Sequence, residues 1–320
     1  DYPLRIVVNG GIDLVTGKAP DFEMQSVMTR SSRSVANINP FSTLITQVAM
    51  RLPGGLTADN FEIAKPLVMD RLSFGLDSSV VQDPVTTKIS RTNVAQLVKA
   101  SETMGEAVRR TRDLIKATGQ QMSGDAVMTA LAADMTDGHP DGLGSNGTNA
   151  TVTAVFNVVT GQVLVEALSN NLRVGGIIAT GVIDQAIETV ESRVRSSQLT
   201  DSVRVTDDVL VQARVALAAA QRLDGSDAVA NIANILDGLK ANATPGSVAN
   251  VLPANSSFLL NTAVNRAPKA SASQISAVNL TIFAMGDPVP DLPVTPPPVT
   301  TPPVTTPPVT TPPVTTPPVT

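Results

Sequence analysis

The chain of 320 residues is 42% hydrophobic but only 2% aromatic, contains no cysteine, and carries a formal net charge of −5. The lack of cysteine excludes a disulfide framework, thiolate catalysis and cysteine-ligated metal sites. The acidic balance and the scarcity of aromatic rings argue against nucleic-acid binding, which needs a basic stripe or stacking platforms. No apolar run reaches the roughly 18 residues of a membrane span, so no membrane insertion is expected.

Residues 1–20 are predicted to form β-structure. Leu4–Val8 is a short β-branched run, Asn9–Gly11 is typical of a hairpin turn, and Ile12–Val15 could return as the second strand. A lone hairpin is marginal in water. We therefore interpret these strands either as the remnant of a β-domain or as a hairpin that docks on the following helices.

Residues 21–265 carry helical patterns and predict a mainly α fold, an irregular antiparallel bundle of about eight helices. Asn39 followed by Pro40 is an N-cap with proline at the first helical position, which marks the start of the bundle. Pro66 should kink or split the second helix. The predicted helices are Phe41–Leu52, Ala58–Leu72, a long helix from Ser90 or Thr92 to Ala117, Gly124–Thr136, Ala150–Asn170, Ala179–Ser196, Val205–Leu223 and Ser226–Lys240.

The helical pattern weakens after Pro245. Leu252–Ala263 predicts one more short helix, whereas Ala277–Met285 alternates like a strand. Residues 266–290 are therefore assigned to irregular structure with a short strand.

Residues 291–320 form a Pro/Thr-rich repeat linker. The unit Thr-Pro-Pro-Val-Thr runs four times without error from Thr301, and its proline pairs begin with Pro302, Pro303, Pro307 and Pro308. Paired prolines fix φ and remove backbone donors, so extended polyproline II is expected. At roughly 3.1 Å per residue, the repeats predict a semi-rigid spacer about 80 Å long.

Aspartates at positions 134, 137 and 141 form the densest polar cluster, together with Asn146 in a glycine-rich stretch. Closely spaced carboxylates and glycine turns build calcium loops, so Asp134, Asp137 and Asp141 are candidate calcium ligands. Their spacing is not that of an EF-hand, and Asp-Gly pairs are also ordinary turn chemistry after a helix. Both interpretations stay open.

Glycines 142, 144 and 147 match the dinucleotide fingerprint Gly-x-Gly-x-x-Gly. A helix and a turn precede the match where that site needs a strand, so a flexible connector is favoured. His139, the only histidine, is interpreted as a loop residue, because the sequence lacks the Gly-x-Ser-x-Gly elbow of a serine hydrolase.

Two sets of charged residues could carry chemistry. The cluster Arg109, Arg110 and Arg112, flanked by Glu106 and Asp113, predicts a solvated, salt-bridged helix face. Glutamates 166, 188 and 191 could supply the paired carboxylates of a glycoside hydrolase. The scarcity of aromatic rings for sugar stacking argues against that activity.

Three further segments bear on family: Gly10–Asp13 with Thr16-Gly17, Asn37–Leu44, and Ala132–Gly142. Together they resemble a helical module of very large bacterial secreted or surface (adhesin-like) proteins. There the module adjoins an Ig-like or carboxypeptidase-regulatory-like β-sandwich. The resemblance implies that Tyr2–Thr16 is the trailing edge of such a sandwich and that the location is extracellular or at the cell surface. It implies context and no defined catalytic activity.

The sequence thus predicts a non-catalytic spacer module of a large bacterial surface or secreted protein, acting in cell-surface attachment, with Asn39 and Pro40 at the start of its bundle. The implied partners are adjacent β-sandwich domains of the same chain, and surface glycans or other cell-surface proteins. No cofactor is expected unless calcium binds. Two alternatives stay open, an accessory module of a secreted carbohydrate-active enzyme and a calcium-dependent adhesion module.

Overall fold

The computed structural model describes residues 2–30, 35–190, 205–241 and 243–285, so the predicted polyproline tail lies outside the described residues. Within these ranges the chain is mainly helical, as predicted, with two short two-stranded sheets. The helices are α1 (Pro40–Ala49), α2 (Ala58–Met69), α3 (Val94–Lys116), α4 (Gly124–Asp134), α5 (Ala150–Leu168), α6 (Thr180–Val190), α7 (Asp207–Asp224), α8 (Asp227–Asp237), α9 (Pro245–Val251), α10 (Ser256–Arg266) and α11 (Ala272–Met285). The strands are β1 (Leu4–Val8), β2 (Met24–Met28), β3 (Arg173–Val174) and β4 (Ile177–Ile178).

The N-terminal strand β1 pairs with a partner that the sequence did not indicate. It lies antiparallel to β2, and the predicted return over Ile12–Val15 is wrong. Asp13 instead closes a local turn, in which its carboxylate accepts from the Thr16 hydroxyl at 2.7 Å. β2 packs on α1, so the strands dock on the helices that follow them.

Most of the described helices begin at a polar residue whose side chain caps the first turn, as the sequence indicated for Asn39. Asn39 forms a capping box with Ser42: the Ser42 N–H donates to Asn39 Oδ1 at 2.8 Å, and the Asn39 N–H donates to Ser42 Oγ at 2.9 Å. The same side-chain acceptance begins α2, α4, α7 and α8, at Thr57, Ser123, Thr206 and Ser226. Each cap satisfies a backbone donor that the first helical turn leaves free.

The predicted split at Pro66 does not occur. α2 continues through this residue and ends at Met69. Phe61, Ala64 and Leu67 are buried on the same helix, which packs against α1. Tertiary packing supplies most helical stability in proteins, so it outweighs the hydrogen bond that proline removes.

Helix α5 is the core helix of the bundle and packs against α3, α7, α10 and α11. Every residue from Val152 to Leu168 is buried. Among the described helices, α5 is the one whose length and composition would suffice to cross a membrane, yet 94% of its apolar window is buried inside the protein. Gly161 allows α7 to approach closely, because a Cβ there would lie 3.3 Å from the backbone of Ala216.

The strand predicted over Ala277–Met285 is wrong, because these residues belong to α11. Ile275, Val278 and Ile282 recur at three- and four-residue spacing and are buried, and α11 packs on α7 and α5. Leu280 lies between the buried Val278 and Ile282 in the sequence but is exposed. These three apolar residues at every second position produced the strand-like alternation. The short helix expected over Leu252–Ala263 is present as α10, and α9 was not predicted.

Candidate functional site

Asp134, at the end of α4, holds the following loop by its side chain. The buried carboxylate accepts from the N–H groups of Gly142 (3.0 Å) and Gly144 (3.2 Å) and from the Thr153 hydroxyl (2.8 Å). Burial raises the pKa of Asp134 to about 6, against the opposing effect of these three hydrogen bonds. The carboxylate thus ties the loop to α4 and α5.

The other two candidate calcium ligands close turns. The Asp137 carboxylate accepts from the His139 N–H at 2.9 Å, and the Asp141 carboxylate accepts from the Leu143 N–H, also at 2.9 Å. Across residues 2–30, 35–190, 205–241 and 243–285, no three histidine or acidic side chains are placed to hold a metal ion. The geometry therefore favours turn chemistry over calcium for Asp134, Asp137 and Asp141.

The glycines of the dinucleotide-like motif are explained by close packing. A Cβ on Gly144 would lie 2.2 Å from the Asp134 carbonyl oxygen. Gly142 has a φ of +81°, and a Cβ there would lie 2.3 Å from the Asn279 amide nitrogen. The backbone of α4 therefore requires glycine at position 144, and the positive φ, with the Ala150 backbone 3.1 Å from an added Cβ, favours it at position 142.

His139 lies against the C-terminal helix. Its ring centroid is 5.6 Å from that of Phe283. It also lines a small pocket of about 40 Å³ together with Asp70 and Arg71. This pocket has room for roughly one water molecule, so it does not place His139 in a substrate cleft.

Arg110 lies in a largely buried ion-pair network, and the solvated helix face predicted for the α3 arginines is wrong. It pairs with Glu106 at 2.8 Å and with Glu166 of α5 at 2.7 Å, and both glutamate side chains are 3% exposed. Glu166 also accepts from the Arg173 N–H at 3.0 Å and from the Ser257 hydroxyl of α10. This side of α3 is covered because α5 packs over it, and α10 packs in turn on α5.

Arg109 and Arg112 extend this network to the N-terminal segment. Arg109 pairs with Asp21 at 2.5 Å and with Asp13 at 3.4 Å, and Arg112 also pairs with Asp21. Burial opposes the ionisation of Asp21, but the two arginines outweigh it and hold its pKa below the ordinary value. The network therefore fastens the segment between β1 and β2 to α3.

The three glutamates considered for hydrolysis have separate environments. Glu166 is buried and bound to Arg110. Glu188 is exposed on α6, and Glu191 lies outside the described residues. A single carboxylate inside the otherwise uncharged α5 was the sequence signal for the network, because charged residues are seldom buried without a partner.

A cleft of about 1000 Å³ lies between α3 and the N-terminal segment. No local pattern of the sequence marks this cleft, because it forms only where the N-terminal segment and residues 37–40 meet a helix far along the chain. Its charged lining consists of Asp13, Asp21, Glu23, Glu102, Arg109 and Asp125.

Glu102 is the unusual acid of this cleft. Burial raises its pKa to about 7, the charge of Asp13 adds to the effect, and Arg109 opposes it. No hydrogen bond or ion pair to Glu102 is formed within the described part of the chain. The carboxyl group therefore changes charge near neutral pH in a cleft open to ligands.

The raised pKa of Glu102 predicts that stability increases as the pH falls through neutrality. A carboxyl whose folded pKa exceeds its ordinary value near 4.5 stabilises the protein below that value and loses this contribution as the pH rises through about 7. We expect Glu102→Gln to be more stable than the wild type at pH 8 by roughly 1–3 kcal/mol. The variant should also lose much of the stability gain between pH 8 and 5.5.

Urea unfolding at pH 5.5, 7 and 8 measures this effect. Glu188→Gln is the matched control, because Glu188 is exposed on α6. Parallel pH profiles for Glu102→Gln and the wild type would show that the Glu102 carboxyl is ionised normally.

Comparisons with protein families, curated proteins and solved structures gave no match to this chain. The segments that carry the resemblance noted above have clear local roles: Asp13 closes a turn, Asn39 caps α1, and Asp134 anchors a loop.

Proposed function

We propose that this chain is a non-catalytic helical module that sets distance within a large bacterial secreted or surface protein. The observation that carries the proposal is the buried ion-pair network around Arg109, Arg110 and Glu166. It fastens the N-terminal segment to α3, α3 to α5, and α5 to α10. The first segment is thus tied to α3, and through α3 to the core helix α5. A block built in this way suits a part that holds its neighbours at a fixed separation.

The start of the bundle supports the same role. The Asn39 side chain caps α1 and also donates to the Pro84 carbonyl at 2.9 Å, while Asn37 donates to the Thr87 carbonyl at 2.7 Å. The segment before α1 is thereby fixed to the loop that precedes α3. We propose β-sandwich domains of the same chain as its neighbours.

The repeat sequence supplies the second part of the proposal. The prolines of the Thr-Pro-Pro-Val-Thr units predict an extended stalk beyond the helical module. We propose that the stalk separates the module from whatever it is joined to at the cell surface. The calcium-dependent alternative gains no support from the Asp134 loop, since its carboxylates bind backbone N–H groups.

Small-angle scattering tests the spacer role. Replacing every proline of Thr295–Thr320 with glycine keeps the length but removes the constraint on φ. The stalk is expected to shorten from about 80 Å to an end-to-end distance of about 28 Å, the value for a flexible chain of this length. The maximum dimension of the protein should fall by tens of ångströms while its helical circular dichroism stays unchanged. Equal maximum dimensions would contradict the spacer role.

The surface location has a separate test. An antibody raised against the helical module should label intact cells of the source organism. Labelling that requires cell lysis would place the module inside the cell and rule out the surface role, whatever the scattering shows.

A further inference from the structure

The cleft beside α3 contains buried polar atoms that the folded chain leaves without partners. Gln25 and Gln47 line the cleft and are 6% and 7% exposed, and neither side-chain oxygen has a hydrogen-bond partner within the described structure. The Ser101 hydroxyl also lines the cleft, and it too is buried without a hydrogen-bond partner in the described structure. An unpaired buried polar group costs about 1–3 kcal/mol, so these atoms suit a donor that arrives from outside.

The charge of the lining favours a cation. Five carboxylates and one guanidinium line the cleft. Asp13 and Asp21 pair with Arg109 and Arg112, and Glu23 lies 3.5 Å from Arg5, so the excess negative charge of the lining rests on Glu102 and Asp125. A cleft with an excess of negative charge focuses the electrostatic field and raises the local concentration of cations.

The apolar part of the lining is aliphatic. Ile12 and Leu14 lie on one side, and Leu97 and Val98 of α3 lie on the other. Such walls pack against methylene groups in the way that lysine stems lie along apolar surfaces.

We propose that this cleft binds an alkylammonium ligand, with its aliphatic stem between Ile12 and Leu97 and its ammonium group at Glu102. Gln25 and Gln47 supply further acceptors. This binding role goes beyond that of a spacer. The ammonium can come from a free diamine or from the lysine side chain of a peptide, and the two probes below distinguish these sources.

Isothermal titration of the full chain at pH 8 tests the proposal with 1,5-diaminopentane and with Nα-acetyl-lysine N-methylamide. A saturable, one-site isotherm is expected for at least one of them, and the tighter binder identifies the source. The neutral analogue pentane-1,5-diol, which has the same stem, is expected not to bind. Glu102→Gln should weaken binding at least tenfold, whereas Glu188→Gln should leave it unchanged.

Gly105 allows the cleft to be blocked without disturbing the core. It lies on α3 in the cleft lining, and a Cβ there would have no heavy atom within 4 Å. Gly105→Leu is therefore expected to fill the cleft and abolish binding while the helix remains folded, since leucine favours helix over glycine. This variant keeps the test valid even if Glu102→Gln folds poorly.

The pH dependence gives a second readout. The charged groups of the elements around Glu102 are Asp13, Asp21 and Glu23 in the N-terminal segment, Glu106 and Arg109 on α3, and Asp125 on α4. A cation binds the ionised form of Glu102, whose pKa in the free protein is about 7. Affinity should thus rise about tenfold from pH 6 to pH 8, and Glu102→Gln should remove this rise.

Three outcomes would overturn the proposal: no saturable binding of either amine, equal binding by Glu102→Gln, or equally tight binding of the diol. The last result would identify a hydroxyl-binding cleft instead.

Discussion

Gly144→Ala is expected to destabilise the protein by about 3 kcal/mol or more, because overpacking and lost buried hydrogen bonds act together. The new Cβ would lie 2.2 Å from the Asp134 carbonyl oxygen and 2.4 Å from that of Ala133. Both are backbone atoms at the end of α4 and cannot rotate away. The loop would have to move off the helix, which would break the bond from the Gly144 N–H to the Asp134 carboxylate.

The same substitution at Gly105 is the matched control. Its Cβ would meet no heavy atom within 4 Å, and alanine favours a helix by up to about 1 kcal/mol over glycine. Urea midpoints at fixed pH should therefore move in opposite directions for Gly144→Ala and Gly105→Ala. If Gly144→Ala unfolds at the wild-type midpoint, the loop does not pack on α4 as described.

Glu166→Ala is expected to lower the free energy of unfolding by about 3 kcal/mol, because removing one partner of a buried pair leaves the other uncompensated. Its carboxylate binds Arg110, the Arg173 N–H and the Ser257 hydroxyl. The loss stays at the low end of the range for buried pairs because Arg110 keeps its bond to Glu106 at 2.8 Å.

An exposed ion pair provides the comparison for Glu166. Arg214 and Asp237 are 3.4 Å apart, with side chains 37% and 54% exposed. Asp237→Ala should therefore cost no more than about 1 kcal/mol. Guanidinium unfolding of both variants measures the difference. Equal losses would mean that the α3 network is as solvated as the sequence suggested.

The helices were predictable to the extent that their signals are local. Asn39, Thr57 and Ser123 each bind a backbone N–H within three residues, so sequence alone located these helix starts. The strand expected at Ile12–Val15 failed because Asp13 closes a turn with its own neighbours. The true partner strand, β2, is separated from β1 by a long loop that no short-range signal specifies.

The candidate site was much less predictable. The aspartates near position 134 were correctly found as a polar cluster, but composition cannot tell a carboxylate that binds calcium from one that binds N–H groups. The cleft depends on contacts such as that between Arg109 and Asp21, which are 88 residues apart. Helical periodicity assigned Arg110 to the solvent side of α3, since it carries no information on what packs there.

The sheltered position of the α3 arginines bears on how the protein responds to ionic strength. Arg109, Arg110 and Arg112 have side chains only 13–18% exposed, and counterions screen such pairs far less than pairs on an open surface. Adding sodium chloride should thus leave the anchorage of the first two dozen residues nearly unchanged. We therefore expect salt to act first on the exposed pairs elsewhere in the protein, such as Arg214 with Asp237.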